Sequence, residues 1–278
     1  MLRSVVLDNL RVLAVSGPER LSFLQGQLTQ DVASARPDAT VMAGLADAKG
    51  RLLFAGHLFS SSADALALLV PADLADALLK RLRMYVLRAK AQVTLPDLTI
   101  LGLLGTPESS VPGRLVRIQA EHQRHILLAP AADAARGSTT ASPRSVWELA
   151  DIAAGIPIIV SQTTGEFVPQ MVNLDLLGGI SFTKGCYTGQ EIVARMKYLG
   201  RVKRRMLRFS AGGVPPTAGS ALYAERGTVG QVVTSAPTDD GSEFLAVIVL
   251  DDLPGPFFLD EARTQPARRL ELPYDVPV

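Results

Sequence analysis

The sequence predicts an α+β fold, with ferredoxin-like N-terminal units followed by a small C-terminal β-barrel. The first observation is the order strand, helix, strand, strand, helix, strand between residues 12 and 93. The second is a change at Arg201, after which short apolar runs alternate with glycine and proline. The third is composition, since 47% apolar and 20% charged residues in a 278-residue chain are typical of a folded globular protein.

A helix is predicted directly after the first strand, which spans residues 12–15. Residues 16–19, Ser-Gly-Pro-Glu, have the form of a capping box with proline near the first helical position. The apolar residues that follow at helical spacing are Leu21, Leu24, Leu28 and Val32.

Three further elements complete the first unit. Residues 52–59 and 65–70 are apolar runs with a polar connection, which predicts a strand pair. Pro71 opens a second helix, and residues 87–93 alternate apolar with polar side chains as a half-buried strand does. The resulting order is that of a ferredoxin-like unit.

A second unit begins near Asp97. Its predicted strands are residues 98–104, 114–118 and 125–128, and its predicted helix, 143–154, ends at Gly155. After Arg201, apolar runs such as residues 229–233 and 244–250 predict the strands of a small β-barrel or sandwich, and we favour the barrel. We therefore expect three domains, at residues 1–96, 97–200 and 201–278.

Charge and cysteine usage narrow the class of protein. The net charge of +1 gives no global attraction to nucleic acid or to an anionic membrane, and the basic run 201–205 is interpreted as a solvated edge. One cysteine excludes an internal disulfide and suits a reducing compartment, so we expect a cytoplasmic protein. Asp8 and Arg11 interrupt any signal peptide, and no apolar run approaches the ~18 residues of a membrane span.

The single cysteine, Cys186, lies in FTKGCYTGQEIVARMK, residues 182–197. A second capping-box pattern at residues 188–191 predicts a helix from about Thr188. The helix N-terminus and Lys184 would both favour the thiolate form of Cys186. The alternative is a buried cysteine that acts as a small hydrophobe at a tight turn. The residues alone leave both interpretations open.

Other chemical motifs are weak. His122 and His125 lie in a predicted hairpin, where ordinary exposed histidines are expected. We find no Cys-x-x-Cys, no phosphate-binding glycine loop and no His-Glu-x-x-His, and we predict no metal site. One cysteine cannot hold an iron–sulfur cluster alone, because such clusters need about four protein ligands.

The segment KGCYTGQEIVAR, residues 184–195, resembles the signature of the YgfZ family of folate-binding proteins. That family is related to the T-protein, the aminomethyltransferase of the glycine-cleavage system. The resemblance continues, in order along the chain, through FLQGQLTQDV at 23–32, DAKGRLL at 47–53, WELADIAAGIP at 147–157 and FVPQMVNLDLLGGISFTKGC at 167–186.

The resemblance implies an aminomethyltransferase-type folate-binding fold around a central tetrahydrofolate pocket. It also implies a role in making or repairing iron–sulfur clusters in client enzymes, including radical-type tRNA-modifying ones. Cys186 and Lys184 match the family's key thiol and lysine. The other matching signature residues are Gly185, Tyr187, Gly189, Gln190, Glu191 and Arg195.

Two tryptophan positions are implied in folate binding. Trp147 matches a family tryptophan linked to folate, and an indole face can stack on a flat pterin ring. Without the resemblance, a single tryptophan on a helix is interpreted as a core residue. Some relatives carry a second such tryptophan where this chain has Leu10.

Two other functions are weighed against an iron–sulfur accessory factor. In a tetrahydrofolate-dependent aminomethyltransferase, an Asp-Asp pair would stand at about Phe54 and Ala55, so the carboxylates that such chemistry uses are missing here. A module that binds tRNA directly would use the 201–205 run, but that run has no interleaved aromatic residues. The expected partners are therefore folate and iron–sulfur client enzymes, without a membrane and without direct nucleic-acid binding.

Overall fold

The computed structural model describes residues 2–107, 113–119, 123–130, 140–198 and 200–277. Two five-stranded sheets and a closed six-stranded barrel account for the strands in this part of the chain. His122, one of the two histidines of the predicted hairpin, lies outside the described residues. Within them, no helix combines the length and the apolar character that crossing a membrane would require.

The first sheet has the ferredoxin-like order with one additional strand. Its strands are β2 (Leu10–Ser16), β3 (Val41–Ala46), β4 (Leu52–Ser62), β5 (Ala65–Pro71) and β6 (Gln92–Thr94). They lie in the order β3-β4-β5-β2-β6, and every neighbouring pair is antiparallel. The sequence analysis missed β3, which lies at one edge and pairs with β4.

The helix predicted after β2 is shorter than expected. Helix α1 spans Arg20–Gln25 and stops at Gly26, so Leu28 and Val32 lie outside it. The Glu19 side chain does not cap the helix, and its carboxylate accepts a hydrogen bond from the Lys90 amide instead. The capping box predicted at residues 16–19 is therefore wrong.

Helix α2 (Ala72–Val86) follows Pro71 as predicted and packs on the same sheet. The strand predicted at 87–93 is largely wrong. Residues 87–91 form a turn, Leu87 is 88% exposed, and only Gln92–Thr94 pair as β6. The alternation of apolar and polar residues at 87–93 did not correspond to a half-buried strand, because only Val93 of this stretch is fully buried.

The second sheet takes one of its interior strands from the N-terminus. Its order is β10-β1-β7-β9-β8, and its strands are β1 (Arg3–Val6), β7 (Thr99–Leu104), β8 (Arg114–Gln119), β9 (Arg124–Ala129) and β10 (Thr140–Ala141). Helix α3 (Arg144–Ala153) packs against β1, and Gly155 follows it with φ 66°, as a helix-terminating glycine does. The domain boundary near residue 96 stays a prediction, and β1 belongs to the sheet of the second unit.

The C-terminal strands close into a barrel in the order β11-β14-β13-β12-β15-β16. They are β11 (Arg204–Ala211), β12 (Ala221–Ala224), β13 (Gly227–Thr238), β14 (Gly241–Val249), β15 (Phe257–Phe258) and β16 (Pro266–Leu270). Phe209 stacks on Phe244 at 5.4 Å between ring centroids, inside the barrel's own apolar cluster. The predicted barrel is confirmed.

The connection from α3 to helix α4 (Gln190–Tyr198) holds the three parts together. It contains little regular structure beyond a short 3-10 helix, Pro169–Val172. Phe167, Val172 and Leu174 of this connection belong to the same buried cluster as the first sheet and as Met206 and Leu245 of the barrel. The signature segment therefore lies where the first sheet and the barrel meet.

Candidate functional site

Lys184 anchors the signature loop to the segment after α1. Its Nζ donates to the backbone carbonyls of Gln25 and Leu28, each at 2.7 Å, and to that of Gln30 at 3.1 Å. Carbonyls beyond a helix C-terminus carry partial negative charge, which favours a cation there. Lys184 therefore fixes the signature loop to the segment that follows α1, and its predicted effect on the thiol stays a prediction.

Burial shifts the titration of this lysine. Desolvation lowers the pKa of Lys184 to about 8, and the nearby Asp31 carboxylate offsets part of that effect. The ammonium also lies 5.1 Å from the centroid of the Tyr187 ring. Burial of that ring raises the pKa of Tyr187 to about 12, so its hydroxyl is neutral at physiological pH.

A pH dependence of stability follows from the lowered pKa of Lys184. Between about pH 8 and the unfolded value near 10.4, the unfolded chain binds more protons at this lysine than the folded chain, so this group makes the folded state more stable as pH rises. We expect the difference in unfolding free energy between wild type and Lys184→Met to change in favour of wild type from about pH 7.5 to 9.5. Urea titrations at several pH values measure it, and a flat or falling difference contradicts the assignment. Tyr187 acts in the opposite direction only above about pH 10.

Thr29, which lies next to the carbonyls bound by Lys184, joins the segment after α1 to the glycine pair Gly178-Gly179. The Thr29 hydroxyl is buried, donates to the Gly179 carbonyl at 2.6 Å and accepts from the Gly44 amide at 2.8 Å. The Ser181 amide in turn donates to the Thr29 carbonyl at 2.9 Å. Main-chain and side-chain hydrogen bonds thus join residues 27–31 (QLTQD) to residues 178–181 (GGIS). Both stretches therefore help to position the cysteine segment that follows the second of them.

A glycine contact joins the DAKG turn to the signature. Gly189 has φ 81°, and a Cβ at this position would lie 2.4 Å from the Asp47 carbonyl oxygen and 2.9 Å from the Gly50 Cα. Gly50 has φ 71°, and its own Cβ would lie 2.8 Å from Ile192. Gly189 is required by close backbone approach, because no side-chain rotation relieves a clash with main-chain atoms.

We expect Gly189→Ala to destabilise the protein by about 2–4 kcal/mol, from left-handed strain together with overlap. The matched control is Gly185→Ala, whose Cβ would meet nothing within 4 Å. That control should remain within about 0.5 kcal/mol of wild type. Chemical denaturation of the two variants gives the comparison, and equal losses would show that the DAKG contact does not hold the loop.

Cys186 is exposed, so the interpretation as a buried small hydrophobe is wrong. It lies four residues before the first residue of α4, beside the exposed and uncrowded Gly185. The Lys184 ammonium is engaged by the backbone carbonyls of Gln25 and Leu28. The loop thus presents a thiol to solvent on a backbone that is anchored on both sides.

The remaining signature residues shape the start of α4. The Gln190 side-chain oxygen accepts from the Tyr187 amide at 3.2 Å, which caps the turn before the helix. Glu191 and Arg195 form an exposed pair at 3.6 Å, one helical turn apart. The helix predicted from about Thr188 begins at Gln190.

A cavity of about 260 Å³ opens between α4, the connection and the start of the barrel. Gln170 lines it and is 1% exposed, and its side-chain oxygen has no hydrogen-bond partner among the described residues. Its amide nitrogen donates to the Val193 carbonyl at 2.6 Å, which fixes the orientation of the group. The other lining residues are Asp175, Phe182, Met196, Lys197, Gly200, Arg201, Val202, Arg205 and Pro277.

Arg205 is a buried cation in the lining of this cavity. It is 4% exposed and forms a two-pronged pair with Asp175 at 2.6 and 3.0 Å, while it also donates to the Gln170 carbonyl at 2.8 Å. The interpretation of residues 201–205 as a solvated edge is therefore wrong for Arg205, although Arg201, Lys203 and Arg204 are exposed. Sequence reasoning missed Gln170 and Arg205. Gln170 could have been found from the sequence, because it is a polar residue inside the largely apolar stretch VPQMVNLDLL, residues 168–177.

Trp147, for which the resemblance implies stacking on folate, lies in the interior of the protein. Trp147 is 4% exposed in the cluster between the two sheets, and the Gly102 backbone packs closely on its six-membered ring. The Arg124 guanidinium lies over the ring at 4.9 Å. Asp151 accepts a hydrogen bond from the Trp147 side chain and pairs with Arg124 at 2.6 Å. Trp147 thus packs between the two sheets, and its contact with folate stays a prediction.

Leu10 packs against the same cluster, so the structure does bring together the two positions linked to folate. Phe54 and Ala55 are each 1% exposed and belong to the first sheet's core. His125 is half buried in β9, and burial lowers its pKa. In the described ranges, no three His, Cys, Asp or Glu side chains converge as a metal site.

Curated relatives match this chain over most of its length. It is 32% identical over 273 residues to the tRNA-modifying protein YgfZ of Vibrio vulnificus (strain YJ016), covering 89% of this chain and 84% of that protein. It is 31% identical over 280 residues to the protein of the same name from Klebsiella pneumoniae (strain 342), covering 90% and 85%. No family model matches the chain.

Among solved structures, the fold is similar to that of the glycine cleavage system aminomethyltransferase T from Bartonella henselae. The TM-score is 0.77 at 16% sequence identity, and the match covers 97% of this chain and 85% of that one. The predicted fold class is confirmed. At this level of identity the likeness concerns the fold alone.

Proposed function

Because this chain belongs to the YgfZ family of tRNA-modifying proteins, we propose that it is a folate-binding accessory factor for the assembly or repair of iron–sulfur clusters in client enzymes. The clients include tRNA-modifying enzymes, which would connect this role to the name of the relatives. The observation that carries the proposal is the exposed Cys186 on a loop anchored by Lys184. A structural cysteine needs no such exposure.

Two reactions are compatible with an exposed thiol at this position. The thiolate could ligate iron of a client cluster transiently, with release when the client's own cysteines take over. Alternatively it could attack a disulfide of a client, which releases one client thiol and leaves a mixed disulfide with the other. Because this chain has one cysteine, a second thiol from a separate low-molecular-weight or protein reductant would then have to resolve that mixed disulfide. Both require access for a second protein, which the exposed Gly185 and Cys186 provide.

Tetrahydrofolate is the ligand that we propose for the cavity at Gln170. The unpartnered Gln170 side-chain oxygen can accept a hydrogen bond, and folate carries several N–H donors. Lys197 and Arg201 line the same cavity and would attract the carboxylates of a folate tail. The volume of about 260 Å³ is below the ~300–1,000 Å³ of whole-ligand pockets, so one end of the molecule would occupy it.

An aminomethyltransferase is the weaker candidate. The fold is that of such an enzyme, but buried Phe54 and Ala55 offer no carboxylate to steer a folate amine or to stabilise charge. A folate-binding protein without transfer chemistry agrees better with these positions. We therefore assign tetrahydrofolate as a bound ligand and the Cys186 thiol as the reactive group.

Calorimetric titration with tetrahydrofolate tests the cavity assignment. We expect Lys197→Ala to weaken binding about fivefold, the effect of losing one partly exposed charge pair of about 1 kcal/mol. Lys203→Ala is the matched control, because Lys203 is exposed and is not part of the cavity lining. Equal affinities of the two variants would remove the cavity from the folate site.

A further inference from the structure

The end of α2 carries an unusual concentration of exposed apolar side chains. Met84, Tyr85 and Leu87 are 56%, 46% and 88% exposed. We call the surface formed by these three side chains and by the basic residues Lys80, Arg81, Arg83, Arg88 and Lys90 the α2 corner. Leu21 on α1 is 44% exposed, and the Glu19 side chain joins that helix's start to Lys90 in the turn after α2. Exposed apolar side chains that cluster in this way are typical of interaction sites.

The backbone at Leu87 adds a second observation. Leu87 has φ 24° and ψ −72°, which is a strained conformation for a leucine, and its side chain makes little contact with the protein. Strained residues whose side chains gain nothing from the fold are found at functional surfaces. The turn 87–91 is held by the Ala89 amide, which donates to the Val86 carbonyl, and by Glu19.

The charges around these apolar side chains are almost all positive. The exposed or half-exposed basic residues are Lys80, Arg81, Arg83, Arg88 and Lys90. The acidic residues beside them are Asp76 on α2 and Glu19, whose carboxylate accepts a hydrogen bond from the Lys90 amide. Arg81 lies over the Tyr85 ring at 5.4 Å, and Arg83 donates to the Val93 carbonyl at 2.9 Å. These contacts fix the positions of two of the cations, Arg81 and Arg83, beside the apolar side chains.

A shallow, open groove lies on the same helix. It has a volume of about 380 Å³ and is lined by Asp76, Leu79, Lys80, Arg83 and Met84. Most of these positions are three or four apart, so they form one face of α2. A groove of this kind accepts an apolar side chain of a partner helix and flanks it with basic residues.

We propose that the α2 corner is a docking surface for a partner protein and that it binds an amphipathic segment whose polar face is acidic. Charge complementarity selects an acidic partner and disfavours a second copy of this chain, since two positive corners would repel. Tyr85 is the one aromatic among the three exposed apolar side chains, and Arg81 already lies over its ring at 5.4 Å. Met84 and Leu87 are aliphatic and do not stack on bases, so the surface favours protein over nucleic acid. The surface is separate from the Gln170 cavity, so the inference does not depend on folate binding.

The test uses a fluorescent synthetic helix of glutamate, leucine and alanine, about four turns long. We expect saturable binding by fluorescence anisotropy at low salt, weakened about tenfold by Leu87→Asp and by Arg88→Glu. Val214→Asp is the matched control, because Val214 is 86% exposed in the barrel part of the chain. The same helix with lysine in place of glutamate should not bind.

Three outcomes would overturn the proposal. The first is a failure of the acidic helix to saturate the protein, and the second is an equal weakening by Val214→Asp and Leu87→Asp. The third is binding of phosphatidylglycerol vesicles or of a single-stranded oligonucleotide that Leu87→Asp abolishes and that the acidic helix does not displace. Thermal melts of each variant exclude unfolding as the cause of a loss.

Discussion

Replacing Arg205 by methionine is expected to destabilise the protein by about 3–5 kcal/mol, because it leaves Asp175 without the partner of a largely buried ion pair. Arg205 is 4% exposed and bonds both oxygens of Asp175 as well as the Gln170 carbonyl. Methionine fills a similar volume, so the loss reflects the unpaired carboxylate and carbonyl more than an empty space. Denaturant titration gives the change in unfolding free energy.

The matched control for this prediction is Arg204→Met. Arg204 precedes Arg205 on β11, is exposed, and should change stability by no more than about 0.5 kcal/mol. Removing both charges in Arg205→Met with Asp175→Leu should recover part of the loss, since no buried charge then remains unpaired. A double variant that is less stable than Arg205→Met would show that the ion pair is not the source of the effect.

Replacing Cys186 by serine is expected to abolish support of iron–sulfur client enzymes in cells, while stability and tetrahydrofolate affinity stay unchanged. Cys186 is exposed, so the exchange of sulfur for oxygen removes no packing. Serine cannot act as a thiolate toward iron or toward an oxidised cysteine. Complementation of a strain without this protein measures the first part, and thermal melting with calorimetry measures the second.

A loss of folding in Cys186→Ser would show that the side chain packs after all. Full complementation would show that the thiol is dispensable. Thr183→Ala is a useful control, because Thr183 is exposed in the same loop and offers no thiol. It should complement as well as wild type does.

Much of the fold could be predicted from the sequence, because helix and strand periodicity reports which side faces a core. The prediction failed where a distant segment decides the local structure. Helix α1 ends at Gln25, and Lys184, far along the chain, takes the carbonyls of Gln25, Leu28 and Gln30 that a longer helix would have used or buried. Alternation at residues 87–93 predicted a strand, but the side chain of Leu87 has no core to enter.

The candidate site also has features that the local sequence predicts and features that depend on distant segments. The local motif indicated a helix from about Thr188 and a glycine-rich backbone around the cysteine, and both are present. It could not indicate that the Lys184 ammonium would be engaged in anchoring the loop. Gln170 and Arg205 become recognisable only when the barrel closes over the connection, since their burial depends on contacts between parts of the chain distant in sequence.

The most direct test of the central claim is the iron and sulfide content of a client tRNA-modifying enzyme purified from cells that contain either wild-type protein or Cys186→Ser. The anchored, exposed thiol predicts that the client from Cys186→Ser cells carries as little cluster as the client from cells without the protein. Clients from wild-type cells should carry a full complement. Equal cluster content in the wild-type and Cys186→Ser clients would contradict the account.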